Sequence, residues 1–94
     1  MTDDIPARLR ILARAAELTG GERQDSYGPV EQNLQRIADM WTAYLDREVV
    51  ITAEDAAWMM VLLKMARSSA HGYHEDNYVD AAAYAAIAGE CRKP

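Results

Sequence analysis

The chain predicts an all-α fold: a bundle of four main helices, in one domain over residues 1–94. Three observations carry this expectation. Two segments show an apolar stripe at helical spacing, a third is apolar at every position from Ala56 to Leu63, and a fourth is rich in alanine, the strongest helix former. The only stretch with strand character is Val49–Val50–Ile51, and three residues make no sheet.

The first helix is expected in DIPARLRILARAAELTGG. Asp4 suits an N-cap and Pro6 a first turn. Leu9, Leu12, Ala13 and Ala16 recur at helical spacing, and Gly20–Gly21 is the expected stop. The second helix follows Tyr27–Gly28–Pro29, with proline favoured at a first helical position. Leu34, Ile37, Ala38, Trp41, Tyr44 and Leu45 form its stripe. The third begins at Thr52, where Thr52 and Asp55 have the spacing of a capping box. It is apolar nearly all round, so it is expected to be buried on more than one side. The fourth runs from about Glu75 to Gly89 and packs antiparallel to the third across a short loop at Gly72. Two such helices are hard to bury in so small a monomer, so a homodimer or homotetramer is expected. Trp41 and Trp58 read as core residues.

Ten basic residues stand against 15 acidic ones, a net charge of −5. That balance argues against nucleic-acid binding, which wants a basic surface, but it leaves room for a small phosphorylated ligand held by a local basic pair or a metal. Cys91 is the only cysteine, so neither an intrachain disulfide nor a cysteine metal cluster is expected. MTDDIPARLR lacks the apolar core of a signal peptide. The apolar run Ala56–Leu63 has only eight residues, too few to cross a bilayer. A cytoplasmic protein without a membrane partner is the expectation.

The chemistry concentrates in HEDNYVDAAAYAA, His74 to Ala86. Asp76 and Asp80 are four apart, within about 40 degrees on a helical wheel. Tyr84 and Ile87 share that side, so Asp80 lies among residues that look packed. A lone buried carboxylate is costly and needs a partner. Lys64 and Arg67, near the end of the third helix, are the natural candidates. One reading is a structural ion-pair network between Lys64/Arg67 and Asp76/Asp80. The other is that the acids hold a hard divalent cation such as Mg²⁺ while the bases contact phosphate. Glu31, at the edge of the second helix's stripe, either joins as a third carboxylate or favours its helix's first turn. Of Glu54 and Asp55, one can face a ligand while the other caps. In ERQDSYGPVEQN, residues Arg23, Asp25 and Tyr27 can hydrogen-bond or stack with a base or sugar; an ordinary loop is the alternative. His71 and His74 form a weak metal signal, and His74 reads as a loop or capping residue with some prospect of phosphate contact.

The runs ERQDSYGPVEQNLQRIADMWTAYL, ITAEDAAWMMVLLKMARSS and HEDNYVDAAAYAAI resemble small phage and prophage proteins of the DUF6378 family, which is similar to the MazG-like all-alpha nucleoside triphosphate pyrophosphohydrolases. The resemblance covers roughly Glu22 to Ile87. It implies a MazG-like all-alpha pyrophosphatase architecture and Mg²⁺-dependent release of pyrophosphate from a (deoxy)nucleoside triphosphate. Joined to the residue chemistry above, this reading places metal at Asp76 and Asp80 with Glu31, has Lys64 and Arg67 offset phosphate charge in catalysis, leaves Glu31 and Glu54 as equal candidates for the general base, and gives substrate contacts to Arg23, Asp25, Tyr27 and His74. Asn77-x-x-Asp80 matches the family's ExxD pattern, with asparagine for the first acid. Lys64-x-x-Arg67 stands where the partner helix should carry ExxE. Either Glu31 and Glu54 supply the missing ligands, or the helices form a non-catalytic nucleotide-sensing or protein-interaction module.

Overall fold

A computed structural model describes residues 5–22 and 29–92. Among the described residues there are four α-helices: α1 (Ala7–Glu17), α2 (Val30–Tyr44), α3 (Ala53–His71) and α4 (Glu75–Arg92). The all-α, four-helix expectation therefore holds. No described helix is long and apolar enough to cross a membrane.

Pro6 precedes α1, and its carbonyl accepts from the Leu9 and Arg10 N–H groups. Asp4, the expected cap, lies outside the described residues. The glycine pair does not stop the chain's coiling. Instead α1 passes into one π-helical turn, Leu18–Glu22, that contains both glycines. Two residues without Cβ atoms let the wider turn form without side-chain crowding.

Helix α2 starts directly after Pro29, as the sequence predicts, and buries Leu34 and Ala38. It ends in a tight turn where Asp46 (φ 59°) and Arg47 (φ 64°) both adopt left-handed backbone. The Thr42 hydroxyl clamps the connection by accepting the Ile51 N–H at 2.8 Å, and Ile51 inserts into the core. Helix α3 then opens on the predicted capping box. The Thr52 hydroxyl accepts the Asp55 N–H at 3.0 Å, and the Asp55 carboxylate accepts the Thr52 N–H at 3.1 Å. Gly72 ends α3 at φ 79°, a conformation that favours glycine.

Helices α3 and α4 form the predicted antiparallel hairpin. Its register sets Glu54 beside Arg92, Lys64 beside Asp80, and Ser68 beside Tyr78. Helix α4 also packs on α1, and α3 on α2. The last turn of α4 runs past the expected end at Gly89 to Arg92, a base favourably placed at a helix C-terminus.

The core is built largely of alanine. Leu34, Ala38, Ile51, Ala53, Ala56, Ala57, Ile87 and Ala88 form one buried cluster, and Ala15, Val79 and Ala83 a second beneath α1. Small side chains let α3 and α4 approach closely. The cost is that bulky residues turn outward. Trp41 packs against the core, as expected, but Trp58 is exposed and donates its indole N–H to Glu54 at 3.1 Å. Within one chain, α3 buries only Ala53, Ala56 and Ala57, so the expectation of burial on several sides is not met there.

Candidate functional site

The α3/α4 hairpin brings one predicted pair together. Lys64 Nζ lies 3.0 Å from Asp80 Oδ2, with side chains only 11% and 16% exposed. Both are held by helical backbone on facing surfaces, one from each side of the hairpin. Beside them runs a groove of about 270 Å³, lined by Lys64, Met65, Ser68, Ser69, Asn77, Tyr78 and Ala81. Asn77 precedes Asp80 by one helical turn and so lies on the same stretch of α4.

The groove ends at a polar and aromatic cluster near Gly72. The Ser68 and Tyr78 hydroxyls share a hydrogen bond of 3.2 Å. Tyr78 stacks on Tyr73, with ring centroids 5.4 Å apart and planes inclined by 27°. The Tyr73 hydroxyl donates to Glu75 at 3.3 Å, and Glu75 also accepts from Arg10 of α1 at 3.1 Å. Partial desolvation, then the adjacent Glu75 carboxylate, raise the Tyr73 phenol above its usual value of 10.0.

The remaining predicted residues do not converge on this groove. Asp76 is exposed at the start of α4, and Arg67 is exposed on α3; no ion pair or hydrogen bond joins them among the described residues. Of the ion-pair network expected between Lys64/Arg67 and Asp76/Asp80, the pair seen among the described residues is Lys64–Asp80. Glu31 is exposed in the first turn of α2. Glu54 is engaged by Trp58 and Arg92. It sits ten residues before Lys64, about 15 Å away along the same helix. Asp55 does the capping, as one of the two acids was expected to do. His74 is exposed in the loop before α4, where its carbonyl accepts the Asn77 N–H at 3.0 Å. Arg23, Asp25 and Tyr27 lie outside the described residues. Among the described residues, no three His, Cys, Asp or Glu side chains lie close enough together to hold a metal ion.

Ser68, Tyr78 and Arg10 belong to the site's surroundings without having been singled out in the sequence. Ser68 and Tyr78 follow from the hairpin register once Lys64 is set opposite Asp80. Arg10 carries no such signal, because nothing local places α1 against the start of α4.

No solved structure matches the chain. It is 44% identical over 86 residues to the Gene 55 protein of Mycobacterium phage L5, a match spanning 92% of this chain and 54% of that protein. It is 41% identical over 75 residues to the Gene 55 protein of Mycobacterium phage D29, spanning 80% of this chain and 48% of that one. The chain therefore spans about half the length of the curated relatives it matches. The family model described as Domain of unknown function (DUF6378) matches residues 10–92, and the chain belongs to that family.

Proposed function

We propose that the chain handles a nucleoside triphosphate in the α3/α4 groove, as a Mg²⁺-dependent pyrophosphohydrolase working as a homodimer or homotetramer. The observation that carries this reading is the shielded Lys64–Asp80 pair beside the groove, whose wall includes Lys64 and, one turn before Asp80, Asn77. An ammonium group held beside a carboxylate and open to a groove is suited to a phosphate whose charge is partly offset by a cation.

The donor set fits Mg²⁺ only in its sparsest form, one or two carboxylates completed by water and substrate phosphate. Asp80 would hold the ion, with Asp76 as the second acid. A bound Mg²⁺ would supply charge neutralisation and polarisation at the phosphate. The chain's own groups do the rest. Lys64 offsets phosphate charge, Ser68 and Asn77 offer hydrogen bonds within the groove, and Tyr78 walls its end. A Glu54 base acting within one chain is disfavoured by its distance along α3.

A second reading, a non-catalytic nucleotide-sensing or protein-interaction module, is favoured by the same ion pair, because Asp80 already has a cationic partner. Pyrophosphate release from a panel of ordinary and modified dNTPs with Mg²⁺ separates the two. The hydrolase reading expects turnover that Asp80→Asn abolishes. Turnover unaffected by that substitution refutes the metal role. Nucleotide binding without turnover supports the module.

A further inference from the structure

The outward face of α3 is unusual for a surface. Trp58 is 46% exposed, Leu62 61% and Met65 58%. With Ser69 they recur at spacings of four, three and four, the seam of a helix that packs lengthwise on another helix. On a wheel of about 100 degrees per residue, this seam and its flanks Met59, Leu63, Ala66 and Ala70 cover roughly 160 degrees. The two charged residues between Trp58 and Ala70, Lys64 and Arg67, fall on the opposite half, with the buried alanines. Helix α3 packs on α4 and α2, and among the described residues Trp58, Leu62 and Met65 of this face stay exposed.

On this face Trp58, Met59, Leu62, Leu63 and Met65 are each 38–61% exposed, a contiguous apolar surface of the kind that marks an interaction site.

We propose that a second copy of this chain covers the face, the two α3 helices pairing antiparallel across a two-fold axis at Leu62. The face itself selects this occupant. Its N-terminal half is bulky, with Trp58 and Met59, and beyond Met65 its C-terminal half is small, with Ala66, Ser69 and Ala70. Antiparallel pairing sets the bulky half of each copy on the small half of the other, so Trp58 lies over the partner's Ala66. Asp55, on the same side of α3, then lies over the partner's Ser69 instead of the partner's Asp55. The helix dipoles also oppose. A parallel pair would stack Trp58 on Trp58 and acid on acid.

The pairing also bears on the groove. Met65 and Ser69 line both the groove and the seam. The second copy brings its Trp58 end to that rim and gives the groove a wall that one chain lacks. This assignment shares with the nucleotide reading only the expectation of an oligomer, and holds whatever the groove binds.

Sedimentation of the full chain at micromolar concentration tests it. The wild type is expected to be dimeric or a higher even oligomer. Leu62→Lys sets two ammonium groups against each other on the axis, and should weaken association by on the order of 100-fold. Because Leu62 is exposed in the single chain, helical circular dichroism should persist; Met65→Lys provides a second variant if it does not. Cysteine cross-linking in a Cys91→Ser background tests the register. Leu62→Cys should link to itself. Ala66→Cys should not, because antiparallel pairing separates the two copies of residue 66 by about 12 Å of helix rise, beyond the reach of a disulfide. A monomeric wild type, or association indifferent to both lysine variants, overturns the proposal. Equal self-linking at both positions overturns the antiparallel register.

Discussion

Removing the Asp80 carboxylate probes both the fold and the site. Asp80→Ala leaves the Lys64 ammonium, 11% exposed, without the carboxylate 3.0 Å from it. Breaking a fully buried pair from one side costs about 3–5 kcal/mol. The slight access to water on both sides lowers the expected cost to about 2–3 kcal/mol. For a domain of this size, that corresponds to a fall in Tm of roughly 10–20 °C. The penalty comes from the stranded charge, so replacing both partners should restore much of it. Lys64→Met with Asp80→Leu should be more stable than Asp80→Ala, since apolar pairs of similar volume often equal or exceed a buried ion pair. Urea unfolding of wild type, both single variants and the double variant, at one protein concentration, gives the coupling energy directly. A coupling below about 0.5 kcal/mol, the size of an exposed pair, would refute the argument that the hairpin shields this contact. Repeating the melts with Mg²⁺ and dNTP adds the functional arm. A ligand that binds the native state raises Tm by mass action, and the nucleotide reading expects that rise in the wild type and its loss in Asp80→Asn.

Other parts of the chain yield sharper local tests. Thr52→Ala removes one half of the capping box and should cost about 1 kcal/mol in urea unfolding, while Thr52→Ser should cost little. Gly72→Ala meets no steric neighbour, yet its φ of 79° should make the variant about 1 kcal/mol less stable; no loss would mean that the turn relaxes. Tyr73 should ionise above the usual tyrosine value in an ultraviolet alkaline titration, and Glu75→Gln should bring it down. Because the shift is upward, its contribution to stability is complete below pH 10 and disappears as pH rises through the folded-state value. An unchanged titration in Glu75→Gln would remove the carboxylate as a cause.

Much of the fold is written in local sequence. The Pro29 start of α2, the Thr52–Asp55 box and the turn at Gly72 are short-range signals, because caps and turns are satisfied by neighbours within a few residues. The Lys64–Asp80 pairing was also within reach, because a short loop between two helices forces antiparallel packing and the residues flanking it then face one another. Local signals fell short at Gly20–Gly21, where the helix widens into a π turn, and at Trp58, whose apolar character suggested core.

Which apolar residues are inside is a tertiary decision. Periodicity shows that α3 is greasy all round, but only packing against α4 and α2 determines which side is used. The alanines Ala53, Ala56 and Ala57 take the inside because they permit close helix approach, and Trp58, Leu62 and Met65 are left outside. The candidate acids divide for the same reason. Asp76, Asp80, Glu31 and Glu54 are equivalent as carboxylates in the sequence. The hairpin register sets Asp80 against Lys64 and packing leaves Asp76 and Glu31 exposed, while helix rise alone keeps Glu54 about 15 Å from Lys64. Residue type determined what each group can do; long-range packing determined which of them meet.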